Sequence, residues 1–374
     1  MNRRGVLSLS AINTSKDAPH DGLFGLSALS LHRLFLVIPV LCALAYPSLL
    51  SLLSSGLVLM HGSAAPDGAI VWVAVIASLI LALAVMLVSF AVGLALGSPH
   101  AGNAENRRAR SVAHLAFATP SLYVGFGNVA GALHAPSAVP IAWFALWMLM
   151  AAILLLGPKL LPGLRSSPMA VDMPGIGHRR LALAHGISAC AILLLFIGPH
   201  IVNHVTGFWN GPAHIEVMKA VRHVYRDDIV QPMLLALIGF QILSGTALVR
   251  RRMSTPSDFM GTVQTMTGVF VGVYILAHTT AVFVARDAGT DTNWSWLTRP
   301  NDSMLVSLST LRLIAHYWVG PIAIVAHIAC GLRMVLLQHD ISPARANHLA
   351  TALIAAGVVT SSIILLALLN VHIA

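Results

Sequence analysis

Runs of apolar residues recur along the chain at about 34–58, 69–97, 110–132, 138–157, 181–205, 229–249, 262–285, 308–337 and 347–372, separated by charged or Gly/Pro-rich breaks. About 20 apolar residues cross a hydrocarbon core of about 30 Å at 1.5 Å rise per residue. The runs therefore predict an all-α integral membrane protein with about nine transmembrane helices. Nine crossings put the two termini on opposite sides of the bilayer.

Basic residues give the direction. Arg3, Arg4, Lys16 and Arg33 precede the first run, and Arg107, Arg108 and Arg110 lie between the second and third. Lys159, Arg165, Arg179 and Arg180 lie between the fourth and fifth runs, and Arg250, Arg251 and Arg252 follow the sixth. Arg333 and Arg345 fall on the same side. The opposite loops are uncharged or mixed, as in 206–228, where Lys219, Arg222 and Arg226 meet Glu216, Asp227 and Asp228. Positive charge accumulates on the cytoplasmic side of membranes. The amino terminus is thus expected in the cytoplasm and the carboxyl terminus outside. A cytoplasmic tail (1–33), a four-helix region of unknown role (34–157), a cytoplasmic linker (158–180) and a five-helix bundle (181–374) follow from the same breaks.

Composition agrees: 57% of residues are hydrophobic and only 9% charged, against about 25% charged in soluble domains. The net charge of +9 belongs to the basic loops and implies no nucleic acid. The first run follows a polar segment and lacks a convincing cleavage site, which predicts a retained helix. Cys42, Cys190 and Cys330 lie inside apolar runs without metal-type spacing, as packing residues do.

The candidate chemistry is intramembrane histidine. An imidazole in a membrane span faces the bundle interior and finds a partner. His200 lies about five residues from the outer end of its run and His278 about seven, a difference in depth of roughly 3 Å. Two imidazoles at one level can hold one haem iron between them. His204, one turn beyond His200, is the alternative ligand on that helix. His327 and Gln241 form a second level pair nearer the cytoplasm. An amide oxygen is a poor ligand for haem iron, so that pair predicts a haem site lacking a ligand or a site for another group, such as a quinone carbonyl. On the haem reading a Gln241→His substitution raises haem content. Gly245, Gly268, Gly272 and Gly331 would allow close approach of helices or of a flat macrocycle. His114 and His134 are expected to be structural or loop residues. The aromatic loop Asp291-Thr-Asn293-Trp294-Ser-Trp296 is expected as an interfacial anchor, with a lid over an outer haem as the alternative.

The segments Gln264-x-Met266-Thr267-Gly268, His278, and His327 followed by Gly331 and Arg333 resemble the membrane-anchor cytochrome b subunit of succinate dehydrogenase and fumarate reductase. The closest type is the single-chain, five-helix, two-haem one. His200-Ile-Val-Asn-His204-Val-Thr-Gly207 with Met218, Arg222 and Tyr225 is also similar to the haem-type membrane anchors of some bacterial adenylate cyclases. The resemblance covers about residues 180–372. It implies a distal haem b on His200 (or His204) and His278, and His327 as one ligand of a proximal haem whose other ligand would stand at Gln241. It further implies a multi-pass b-type cytochrome of the bacterial inner membrane that passes electrons between a quinone and a redox partner, with flavoprotein and iron–sulfur subunits docked on the cytoplasmic face. The chain carries no flavin or iron–sulfur motif of its own, so oxidoreductase catalysis would need those partners. Arg222, Arg226 and Arg286 could meet haem propionates or act as ordinary interfacial anchors. The alternative from another class is a haem-binding sensor or assembly module that transfers no electrons. A transporter is disfavoured, because intramembrane carboxylates are almost absent.

Overall fold

A computed structural model describes residues 28–61, 68–97, 104–160, 175–298 and 308–373. Residues 1–27, 62–67, 98–103, 161–174, 299–307 and 374 lie outside the described residues, and with them Arg3, Arg4, Lys16 and Arg165 of the topology reading. Among the described residues every regular element is helical. In chain order they are α1 (Ala28–His61), α2 (Gly68–Ala95), α3 (Ala104–Phe117), α4 (Thr119–Ala132), α5 (Val139–Leu160), α6 (Ile176–Ile192), α7 (Gly198–Thr206), α8 (Gly211–Tyr225), α9 (Val230–Arg252), α10 (Phe259–Asp287), α11 (Trp294–Thr298), α12 (Leu308–Gln338) and α13 (Pro343–Leu368).

Seven of the described helical stretches are long and apolar enough to cross a membrane: Leu34–Leu59, Pro136–Leu156, Ile176–Thr206, Val230–Arg252, Phe259–Asp287, Thr310–Gln338 and Pro343–Leu368. The chain is accordingly a multi-pass, all-helical membrane protein. The 69–97 run is the single 28-residue helix α2. The 110–132 run is divided at Ala118 into two helices of 14 residues each. Pro120 explains the division, because it lacks the N–H that would bond the Ala116 carbonyl and its ring crowds that carbonyl. Ala118 closes α3 with a tight bond from its N–H to Leu115 O, and its own carbonyl accepts from Leu122 N–H.

The expected 206–228 loop holds a further helix, α8. Asn210 caps it, its Oδ1 accepting from the Ala213 N–H at 2.8 Å, with Pro212 in the first turn where no N–H is needed. Asp258 caps α10 in the same way through the Gly261 N–H at 2.7 Å. Arg333 pairs with that aspartate at 3.1 Å and also donates to Asn347 Oδ1, fastening the α10, α12 and α13 ends together beside Arg250–Arg252.

The front helices form their own apolar core around Tyr46, Trp143 and Trp147. They also dock on the back helices through polar contacts buried in the bundle. His114 Nδ1–H donates to the Arg110 carbonyl, which leaves Nε2 to accept from the Thr265 hydroxyl on α10 at 2.9 Å. Asn128 on α4 donates to the Ala277 carbonyl at 2.9 Å, and His316 on α12 meets Ser121 on α4 at 3.0 Å. Thus α4 braces α10 at the residue before His278. His134 lies in an exposed turn with φ +53°.

Candidate functional site

The helix carrying His200 is irregular where it matters. Residues Leu193–Ile197 form a π turn between α6 and α7, directly before Gly198-Pro199-His200. Proline inside a helix forfeits a hydrogen bond, and a wide turn accommodates it; such turns often mark functional sites. Beyond the turn His200 faces the bundle interior, its ring stacked on Phe196 at 5.0 Å.

Across from it on α10 stands His278. The two ring centres are 6.2 Å apart and their planes cross at 71°. A metal held at about 2 Å by each of two imidazole nitrogens, each about 1.1 Å from its ring centre, separates two axial rings by about 6.3 Å. The spacing fits an iron between them. The Nδ1 atom of His278 is buried with no hydrogen-bond partner among the described residues. Tyr274 stacks on His278 at 5.6 Å and 12°, and Tyr317 meets it edge-on at 6.0 Å, so the ring is held on two sides. His204 lies beside His200 with the Nε2 atoms 3.3 Å apart.

Both rings line a cavity of about 300 Å³ between α7, α9 and α10, a size found for small-molecule sites. Its walls are apolar, including Leu234, Ile238 and Val282, and its mouth is cationic, with Arg222, Arg226 and Arg286. Arg222 is ion-paired to Asp291 at 2.8 Å. The acceptors bonded to Arg226 and Arg286 are neutral: Thr292 Oγ1 and Gln231 Oε1, each at 3.0 Å. Burial, followed by the neighbouring Arg222 and Arg286 charges, lowers the Arg226 pKa. The mouth therefore holds positive charge that an anionic group would relieve.

The aromatic loop differs from the expected anchor. Trp294 is buried, at 7% exposure, and its ring covers the α7–α8 corner. A Cβ at Gly207 would lie 2.3 Å from that indole, so only glycine admits it. Trp294 also packs on His214 at 4.4 Å, and Trp296 lines the cavity. The loop closes the α8 end of the site. An amphipathic aromatic suits an interface or a buried corner equally, and the glycine pocket that chooses between them is not readable one residue at a time.

Comparison of the chain with protein families, with curated proteins and with solved structures found no match.

The structure gives Gln241 a different setting from the one expected. Its amide nitrogen donates to the His185 carbonyl at 2.8 Å and to Ser188 Oγ at 2.5 Å, holding α9 to α6. The ring brought to His327 is that of His185, with centres 6.4 Å apart. Among the described residues no group of three or more His, Cys, Asp or Glu side chains is arranged to hold a bare metal ion.

The segment expected as a loop also places a buried histidine, His214, on α8. His214 is 2% exposed, with Nε2 3.2 Å from the Asn203 amide. Burial, then the nearby Arg222 charge, lowers its pKa from 6.5 to about 4. Between those two values the unfolded chain binds a proton that the folded chain refuses. Stability from this residue is therefore complete above pH 6.5 and falls as the pH drops towards 4. We expect the thermal midpoint of wild type to fall more steeply than that of His214→Gln over this window, followed by Trp fluorescence. Parallel curves would remove His214 from the account.

Proposed function

We propose that the chain is a b-type cytochrome of the bacterial inner membrane, holding haem b between His200 and His278. The observation that carries this reading is the 6.2 Å spacing of two imidazoles facing one cavity with an arginine mouth. Arg226 and Arg286 would bind the propionates, and the apolar walls would exclude water and set a low dielectric. A haem there would supply one-electron chemistry, connecting a quinone with a redox partner. The chain's own part is to fix the two imidazole planes, hold Tyr274 against His278, and keep the anionic edge at the α8 end.

We read the chain as crossing the membrane nine times, with α3 and α4 together making one broken crossing. The arginines at the α9–α10 turn then lie in the cytoplasm, where flavoprotein and iron–sulfur subunits would dock, and the His200 end lies outside. The sequence resemblance to succinate dehydrogenase and fumarate reductase anchors supports the same assignment.

The test is a reduced-minus-oxidised visible spectrum of the purified protein together with haem per polypeptide. A low-spin b-type spectrum at one haem or more per chain is expected. A folded, haem-free preparation would sink the reading and leave a membrane assembly module in its place.

A further inference from the structure

A second cavity, of about 430 Å³, lies between α4, α5 and α10. Helical periodicity on α10 separates it from the first. Tyr274, Ile275, His278 and Thr279 line the histidine cavity, whereas Val273, Leu276, Ala277 and Thr280 line this one. The space is left open by small residues: Gly125 and Ala130 on α4, Ala135 and Ala138 in the turn after it, Ala142 on α5, and Ala277. Among the described residues no charged group lines it, and Thr280 carries the one hydroxyl. Such a space offers water no partners; apolar cavities stay dry and admit apolar molecules.

Its dimensions choose among apolar occupants. The lining follows α4 from Leu122 to Leu133, a length of about 16.5 Å at 1.5 Å per residue. That is close to half of a hydrocarbon core of about 30 Å, the depth of a single leaflet. Spread over this length, the volume gives a cross-section of about 26 Å², against about 80 Å² for a helix 10 Å in diameter. The cavity is therefore a slot running with the helices and too thin to admit a helix of a second copy. Its rim is formed by Val129, Leu133 and Leu276, all exposed, and leads onto the exposed Ile141 and Phe144 of α5. In a multi-pass membrane protein such a rim is continuous with the surface that meets lipid.

We propose that the slot holds one acyl chain of a phospholipid, drawn from the leaflet at the α4–α5 turn. The topology proposed above makes this the outer leaflet; the occupancy itself does not depend on it. One extended hydrocarbon chain meets the three requirements together: an apolar wall, the length of a leaflet and a narrow section. It packs on Ala277, which is 3% exposed and stands one residue before His278.

Phospholipid per polypeptide tests this, counted by native mass spectrometry and by lipid extraction after purification of the full-length chain in a mild detergent. Wild type is expected to retain one phospholipid. Ala142→Phe puts a ring into the slot from α5, and occupancy should fall at least about tenfold, because an added ring and the acyl chain would overpack the same space. Leu87→Phe, on an exposed face of α2, adds bulk elsewhere and should leave occupancy unchanged. Should Ala142→Phe fail to fold, Ala138→Phe at the exposed end of the slot gives the same reading. A wild type that keeps no phospholipid overturns the proposal. So does a retained phospholipid that ignores the substitution in the slot, or a polyprenyl compound lost in its place.

Discussion

His278→Ala is expected to abolish haem binding at the cavity beneath α8, removing one haem per chain and its share of the reduced-minus-oxidised spectrum. Affinity at that site should fall by more than about 100-fold, since even the outer partners of metal ligands are worth about 10–100-fold. The fold should survive. His278 Nδ1 has no hydrogen-bond partner among the described residues, so truncation breaks no polar contact there. His200→Ala should behave alike, whereas His204→Ala should keep its haem, because the pair at axial spacing is His200 with His278. Haem loss in His204→Ala with retention in His200→Ala would move the ligand one turn along the helix. Equal retention in all three variants would remove the site altogether.

Counting residues from the ends of apolar runs places His200 and His278 at one height, and the structure does face them. The same counting fails at the other pair for an identifiable reason. Starting the fifth run at Leu181 makes His185 look terminal, but α6 begins at Ile176 and carries Arg179 and Arg180 in its first turns. His185 is thus nine residues into the helix and able to reach the level of His327. Gln241 has a suitable height too, but height does not give the direction around the axis, and its amide faces α6. The break at Ala118 was legible in Pro120, and α8 in Asn210-Gly211-Pro212, although both lie in stretches where hydropathy alone gives a plain span or a plain loop. The position of Trp294 depends on Gly207, 87 residues earlier in the chain, and no local pattern records that.

Glycine packing also governs the brace behind His278, and Gly320→Val should expose it. A Cβ at Gly320 would sit 2.3 Å from Tyr274 Cε2 and 2.5 Å from Cζ, an overlap that requires movement of a buried ring. Tyr274 has little freedom to move. It stacks on His278 and lies 4.5 Å from His316, which is itself bonded to Ser121 of α4. Replacing a helical glycine ordinarily gains a few tenths of a kcal/mol to about 1 kcal/mol in propensity. Overpacking a filled core costs about 1–3 kcal/mol, so the substitution should destabilise the protein on balance. The displaced tyrosine should also tilt His278, so haem held at the His200–His278 pair should dissociate faster. Thermal unfolding and haem transfer to an acceptor protein measure the two effects separately. A variant more stable than wild type, with unchanged haem release, would show that Tyr274 can move away freely and does not set the imidazole's position. If both effects appear together, the first four helices have a concrete role. Through Ser121, His316 and Tyr274, and through Asn128 on the Ala277 carbonyl, α4 holds the ligand helix where His278 can meet His200.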